Sequence, residues 1–298
     1  MVLDLRPLFC MQSRILQFRR RNYDLSHRTL IMGVLNVTPD SFSDGGRFLE
    51  LARAVEYGRR LAEEGADILD IGGESTRPGS RPIPEEEEAR RVIPVIEGVR
   101  SKISIPISVD TRKAWVAERA LEAGAEMIND VTALRYDEKM AGVVARHRVP
   151  VVLMHMRGQP ETMQANTEYA DLMGEILEFF RRRMAFAASQ RIQRDQIILD
   201  PGIGFGKSLE KHHNLIILKH LQRFKVLNQP LLIGTSRKAF IGQVLHLPLE
   251  EREEGTMATV AVAIHNGADI VRVHEVGRTR RVVQVIDAIL RSTAEAPV

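Results

Sequence analysis

The sequence predicts one (β/α)8 barrel with a short N-terminal extension, and three observations carry that expectation. From residue 29 onward, eight short, nearly continuous apolar runs alternate with longer helical patterns. Such runs mark parallel strands covered on both faces. A phrase recurs where helix gives way to strand: Gly65-Ala66-Asp67, Gly124-Ala125-Glu126 and Gly267-Ala268-Asp269. Glycine suits the left-handed position after a helix end, so this reads as one αβ connection used repeatedly. No stretch rich in proline, glycine or serine divides the chain, which favours one barrel over two domains and leaves a doubly wound sheet as the alternative.

Taken in order, residues 1–28 show no steady period, carry a basic run at Arg19, Arg20 and Arg21, and form an extension expected to pack on the barrel domain of residues 29–298. Strands are expected at 29–37, 66–72, 103–110, 126–131, 150–155, 196–200, 230–235 and 268–274. The helices between them include 51–63, where Leu51, Val55, Gly58 and Ala62 share a face, and 114–122. Residues 257–264 are apolar nearly all round, although an outer helix facing water needs a polar stripe. With Leu215, Leu218 and Leu221, and with Val282, Val285 and Ile289, they form an expected outer apolar patch. Such a patch, which includes Val260 and Val285, points to a homodimer, the commonest closed assembly.

Composition excludes several classes. With 298 residues, 44% hydrophobic and 27% charged, the chain has material for a large core and is neither disordered nor collagen-like. No run approaches the roughly 18 apolar residues of a membrane span, so no membrane partner is expected. The 42 basic and 39 acidic residues leave +3, too little to demand nucleic acid. A pI near 9.1 still accommodates a local anion site. The single cysteine, Cys10, cannot form an internal disulfide, which suits a reducing cytoplasm.

Polar residues gather where the expected strands run out: Asn36, Glu74 to Arg77, Asp110, Asn129 and Asp130, His155, Asp200, Ser236 to Lys238, Arg272 and His274. Barrel enzymes build their sites at the carboxyl ends of the strands, so these groups should converge on one mouth. Asp130 and His155 taken singly read as capping or hydrogen-bonded barrel residues. The loops 38–46 and 74–82 are long for βα connections and rich in glycine and proline, which makes them expected lids. Phe42 and the arginines beside them favour substrate contact. The stretch 200–208 ends Gly-Lys-Ser, but Gly202 to Gly206 leaves one residue too few for a P-loop. It reads instead as backbone that comes close to a flat ligand, with Asp200 as its polar end. His212 and His213 are expected to be solvated. No zinc spacing and no nucleophile elbow occurs.

Long ordered motifs then carry a resemblance: GVLNVTPDSFSDGG (33–46), GGESTRPGS (72–80), DTRKA (110–114), IND (128–130), HMRG (155–158), LDPGIGFGK (199–207), GTSRKAFIG (234–242) and RVHEV (272–276) resemble the dihydropteroate synthase family. The resemblance runs from about residue 29 to the last helix. It implies a pterin-binding barrel that condenses 6-hydroxymethyl-7,8-dihydropterin diphosphate with p-aminobenzoate, giving 7,8-dihydropteroate and pyrophosphate in folate biosynthesis.

It also implies roles. Asp110, Asn129, Asp200 and Lys238 would hold the pterin, with Phe205 beside it. Asn36, Arg272 and His274 would bind the diphosphate, Asn36 also serving as a magnesium ligand, since magnesium prefers oxygen donors with phosphate help. Thr76, Arg77 and Pro78, with Ser236, would shape the p-aminobenzoate pocket, and Phe42 lies on the first lid. Departure of pyrophosphate would leave a delocalised cation for the arylamine to attack, with Asp110 and Asp44 stabilising its charge and Lys238, Arg272 and His274 completing the catalytic set. Family dimers form through the last helices, in line with the apolar patch. The stretch 207–215 is about two residues longer than the family connection, a departure at a helix start only. Two other readings stand beside this one: a methyltetrahydrofolate:corrinoid methyltransferase, against which GTSRKAF and STRPG speak, and a non-catalytic pterin-binding paralogue.

Overall fold

The computed structural model describes residues 15–37, 46–76 and 79–292. Eight parallel strands form the sheet: β3 (Leu30–Asn36), β4 (Ile68–Gly72), β5 (Ile107–Asp110), β6 (Met127–Asp130), β7 (Val151–Met154), β8 (Ile197–Asp200), β9 (Leu232–Ile233) and β10 (Ile270–Val273). Their order is β8-β7-β6-β5-β4-β3-β10-β9. A parallel bridge between Leu199 and Leu231, with the Leu199 N–H donating to the Pro230 carbonyl at 2.9 Å, closes that sheet into a barrel. The expected (β/α)8 barrel is the observed fold, and the doubly wound alternative is set aside.

Helices cover the outside: α1 (Gly46–Glu63), α2 (Glu85–Arg100), α3 (Ala114–Ala123), α4 (Met140–His147), α5 (Leu172–Ser189), α6 (His213–Lys219), α7 (Ala239–Leu245), α8 (Glu253–His265) and α9 (Val276–Arg291). Gly65, Gly124 and Gly267 turn the chain from helix to strand at φ of +105°, +115° and +98°, the conformation their recurrence predicts. Among the described residues no helix is long and apolar enough to cross a membrane.

All eight strands come out shorter than expected, and two of them lose four residues each. Residues 103–105 stay outside the sheet because the Ile103 N–H donates to the Val99 carbonyl and finishes α2, and pairing starts where the Pro106 carbonyl accepts the Leu69 N–H at 3.0 Å. The strand expected at 230–235 shrinks to Leu232–Ile233, and the Asp269 carboxylate takes the Leu231 N–H at 2.8 Å.

Side chains alternate along each strand, so every second residue points into the barrel. Met32, Ile68, Met127, Val152, Ile198, Leu232 and Ile270 pack there as one buried cluster, while Leu35, Leu69, Ile71 and Val109 pack outward under the helices. The same cluster contains Leu16, Phe18, Tyr23 and Leu25 from the N-terminal extension. Those residues belong to a hairpin of β1 (Ile15–Gln17) and β2 (Asn22–Asp24), paired antiparallel with Leu16 opposite Tyr23. The hairpin plugs the amino-terminal end of the barrel, and the Tyr23 hydroxyl donates to the Asp67 carbonyl at 2.7 Å. Arg19, Arg20 and Arg21 sit exposed at its turn.

The outer apolar patch differs in membership from its expectation. Val260, Leu218 and Leu221 are core residues, because α8 and the α6 region turn these positions inward. Val262, Val285, Ile289 and Leu290 remain exposed on α8 and α9.

Candidate active site

The alternation that fills the barrel floor with aliphatic side chains places polar ones above it. On β4 the inward residue after Ile68 is Asp70; β5 ends inward with Asp110, β6 presents Asn129, β8 ends with Asp200, and Arg272 follows Ile270 on β10. Arg272 lies between the two aspartates, with Nε donating to Asp70 Oδ2 at 2.7 Å and Nη2 to Asp110 Oδ2 at 2.8 Å. Asn129 Nδ2 donates to Asp70 Oδ2 at 3.1 Å. Burial pushes the Asp110 carboxyl up to about 7; the Arg272 charge opposes the rise and the Asp70 charge adds to it. The Oδ1 atoms of Asp70 and Asp110 are buried without a hydrogen-bond partner among the described residues. Buried acceptors are ordinarily bonded, so these two oxygens keep the capacity to accept from an N–H donor or to face positive charge.

Asp70 is the group that sequence reasoning missed. It stands in mid-strand, inside the apolar run ILDIG, whereas the polar residues that mark the mouth in the sequence stand at strand ends. A carboxylate two residues from Ile68 on an otherwise apolar strand was the available signal.

Opposite, Asp200 Oδ1 accepts the Gly202 N–H at 2.7 Å. A Cβ on Gly202 would stand 1.9 Å from the His155 carbonyl oxygen, and its φ is +70°, so only glycine passes there. Burial pushes the Asp200 carboxyl up, against the neighbouring Lys238 charge. Lys238 is pushed down to about 8 by burial, with Asp200 opposing. Its Nζ donates to the Ile203 carbonyl and lies 4.8 Å from the Phe205 ring centroid. Asp200, Lys238 and Phe205 thus form one wall of the mouth.

Behind that wall is Lys207, also missed, since the failed P-loop comparison left it without a role. Its Nζ donates to Phe205 O at 2.9 Å, His155 Nδ1 at 3.0 Å and Gly202 O at 3.2 Å. Desolvation holds His155 well below its ordinary range, so the neutral ring can accept. Lys207 itself is pushed down to about 7 by burial. It clamps the glycine stretch to the end of β7. His155 and Asp130 fit their modest readings, Asp130 accepting the Thr132 and Leu134 N–H groups at 2.8 and 2.7 Å. His213 does not: it is buried, and its Nδ1 accepts the Ser208 N–H at 3.2 Å. The reason is α6, whose first turn folds that ring onto Tyr169 at 5.2 Å between centroids.

The third side holds Ser236 and His274, whose Oγ and Nδ1 are 2.8 Å apart. Asn36 ends β3, half-buried, in register with Gly72. Thr76 is half-buried on the connection leaving β4. Phe42, Asp44, Arg77 and Pro78, and with them the first lid, lie outside the described residues. Among the described residues no group of three or more His, Cys, Asp or Glu is arranged to hold a metal. A donor set of Asn36 alone fits only a cation that keeps water or substrate oxygens in its shell, which is how magnesium is usually bound.

Comparison with known proteins places this geometry. Residues 32–274 match the family described as pterin binding enzyme. The chain is 47% identical over 270 residues to a dihydropteroate synthase of Synechocystis sp., covering 90% of this chain and 93% of that one. Among solved structures it is similar to the Xanthomonas albilineans dihydropteroate synthase with 4-aminobenzoic acid (TM-score 0.88, 45% identity, 94% of this chain and 100% of that chain). It is also similar to that enzyme in complex with 7,8-dihydropteroate (TM-score 0.84, 42% identity, the same coverage).

Proposed function

The chain belongs to the pterin binding enzymes and has dihydropteroate synthase activity, a transferase reaction, and on that premise we propose how its residues divide the work. The substrates are 6-hydroxymethyl-7,8-dihydropterin diphosphate and p-aminobenzoate, and the products are 7,8-dihydropteroate and pyrophosphate. One observation carries the residue assignment: Arg272 bridges Asp70 and Asp110 at the barrel mouth while an oxygen of each carboxylate is left for a ligand.

Asp110, Asn129, Asp200 and Lys238 hold the pterin, whose ring edge carries both donors and acceptors, and Phe205 lies along it. Asn36, His274 and Arg272 receive the diphosphate. Asn36 would hold magnesium, which when bound would supply neutralisation of charge on the leaving group. In the reaction the methylene C–O bond breaks, pyrophosphate takes the electron pair, and the arylamine nitrogen forms the new C–N bond and then loses a proton. Asp110, aided by Asp44, stabilises the positive charge on the pterin, and its buried setting makes that stabilisation stronger than it would be in water. Thr76, Arg77 and Pro78, with Ser236, border the arylamine. No covalent bond to the protein is required.

The deciding experiment measures pyrophosphate release from the purified chain. Release only when both substrates are present is the expected result; pterin binding without release under any condition would leave a non-catalytic binding protein.

We further propose a homodimer through α8 and α9, where Val262, Val285, Ile289 and Leu290 expose 46%, 59%, 60% and 47% of their surfaces. Light scattering checks it: the wild type should show twice the 33.6 kDa chain mass and Val285→Glu a monomer, with the variant's turnover within about twofold of the wild type's. We place the reaction in the cytoplasm, whose reducing conditions suit a chain with one cysteine.

A further inference from the structure

Where β4 ends, a second set of buried charges stands apart from the pterin-facing carboxylates. Glu74, two residues beyond the strand, has a side chain only 5% exposed. Its Oε1 accepts from Arg112 Nε at 3.0 Å, and its Oε2 from Lys113 Nζ at 2.7 Å and from the Ile83 N–H at 2.9 Å. Arg112 donates as well to Glu161 Oε1 at 2.7 Å and lies 4.3 Å from the centroid of the Tyr136 ring. Lys113 donates as well to Glu88 on α2. One carboxylate therefore joins the connections that follow β4 and β5 and, through Arg112, the one that follows β7.

Ile83 is the telling partner. It lies just before α2, so Glu74 holds both ends of the same β4-to-α2 connection. Stability is a poor explanation for this arrangement. Two carboxylates, Glu74 and Glu88, and two cations removed from water gain little net free energy, and apolar side chains of equal volume usually do as well or better. What fixed acceptor geometry supplies is direction, here the direction in which the chain leaves β4 through Ser75 and Thr76.

We propose that Glu74 is a positioning residue for p-aminobenzoate: its carboxylate sets Ser75 and Thr76 at the rim of the mouth so that the arylamine is presented to the pterin methylene. The inference rests on the reading that Thr76 borders the arylamine. Glu74 touches neither substrate.

The test varies each substrate separately in steady state for the wild type, Glu74→Gln and Ile83→Pro, with calorimetry of diphosphate-free pterin and thermal melting alongside. Glu74→Gln keeps the volume but removes the charge facing Lys113. Ile83→Pro deletes one N–H, leaves every charge in place, and falls between two prolines, where the chain is already extended. The KM for p-aminobenzoate should rise about tenfold in Glu74→Gln and about threefold in Ile83→Pro, while pterin affinity stays within about twofold. Equal rises in both KM values, or a lowered melting temperature with an unchanged arylamine KM, would overturn the proposal and leave Glu74 as scaffold. If Glu74→Gln does not fold, the two KM values of Ile83→Pro decide. A wild type that releases no pyrophosphate defeats the activity reading before any variant is compared; calorimetry of p-aminobenzoate on the pterin-loaded proteins then makes the same comparison.

Discussion

The floor and the mouth of this barrel are lined by the same strands. Ile68, Met127, Ile198 and Ile270 close the floor together with the hairpin residues Leu16, Phe18, Tyr23 and Leu25. Two positions further along each strand stand Asp70, Asn129, Asp200 and Arg272. The separation is one pleat repeat, about 6.6 Å, yet over that distance the interior changes from aliphatic packing to desolvated charge. Packing at the floor is insensitive to pH and tolerates no cavities; charge at the mouth is poised by its surroundings and leaves two carboxylate oxygens without a hydrogen-bond partner among the described residues. Stability and chemistry are separated along the barrel axis, a division the fold permits because loops at one end do not carry the core.

The sharpest way to break that separation is at the wall of the mouth. Asp200→Asn and Lys238→Ala should each lower pterin affinity on the order of a thousandfold, because a site built to bond a polar ligand is left with unpaired buried groups. Calorimetry with the diphosphate-free pterin reads this directly, and affinity unchanged in both variants would remove Asp200 and Lys238 from the site. At the floor the effect should be large in stability and small in function. Leu16→Ala should cost roughly 3 kcal/mol, the usual range for a buried leucine that leaves a cavity, in urea unfolding with both KM values unchanged; a comparable loss of pterin affinity would mean that the two ends are coupled.

Asp110 sharpens the comparison through pH. Its carboxyl is raised to about 7 by burial, so the native state holds a proton that the unfolded chain has released. That contribution is complete below the ordinary carboxyl value of 3.8 and is lost as pH rises toward 7. Wild-type stability should therefore fall relative to Asp110→Asn between about pH 4 and 7 and run parallel above it. On the proposed mechanism the ionised form is the active one, so kcat/KM should climb with pH through about 7, and the residual rate of Asp110→Asn should lack that limb. The same limb in the variant would assign it to another group. The smallest effect is expected at the rim: magnesium chelation or Asn36→Ala should weaken the diphosphate-bearing pterin about tenfold and the diphosphate-free pterin hardly at all. Equal weakening of both would place the metal away from Asn36.

Much of the mouth was legible because residue type and position agree there. Asp110, Asn129, Asp200 and Arg272 end or nearly end apolar runs, and period two turns them inward with their neighbours. Asp70 escaped because it interrupts a run instead of ending one, and Lys207 because its three acceptors come from a glycine stretch and a histidine 52 residues away. Glu74 reads locally as one more loop carboxylate; only the approach of Arg112 and Lys113 from the next strand's connection gives it a purpose. The outer patch was overdrawn at Val260, Leu218 and Leu221 for a related reason: small and aliphatic residues do not announce which side of a helix faces the barrel.

By itself the sequence determined the strand and helix alternation, the glycine turns between them and the inward register of the polar residues, because these follow from hydrophobic period and backbone conformation within a few residues of each position. Tertiary structure decided the barrel's closure at Leu199 and Leu231, the plugging of its floor by a hairpin without a regular pattern, and the partners and poise of Asp70, Asp110, Lys207 and Glu74. Burial and opposing charges set those properties, and both depend on residues brought together from distant parts of the chain, which no local pattern encodes.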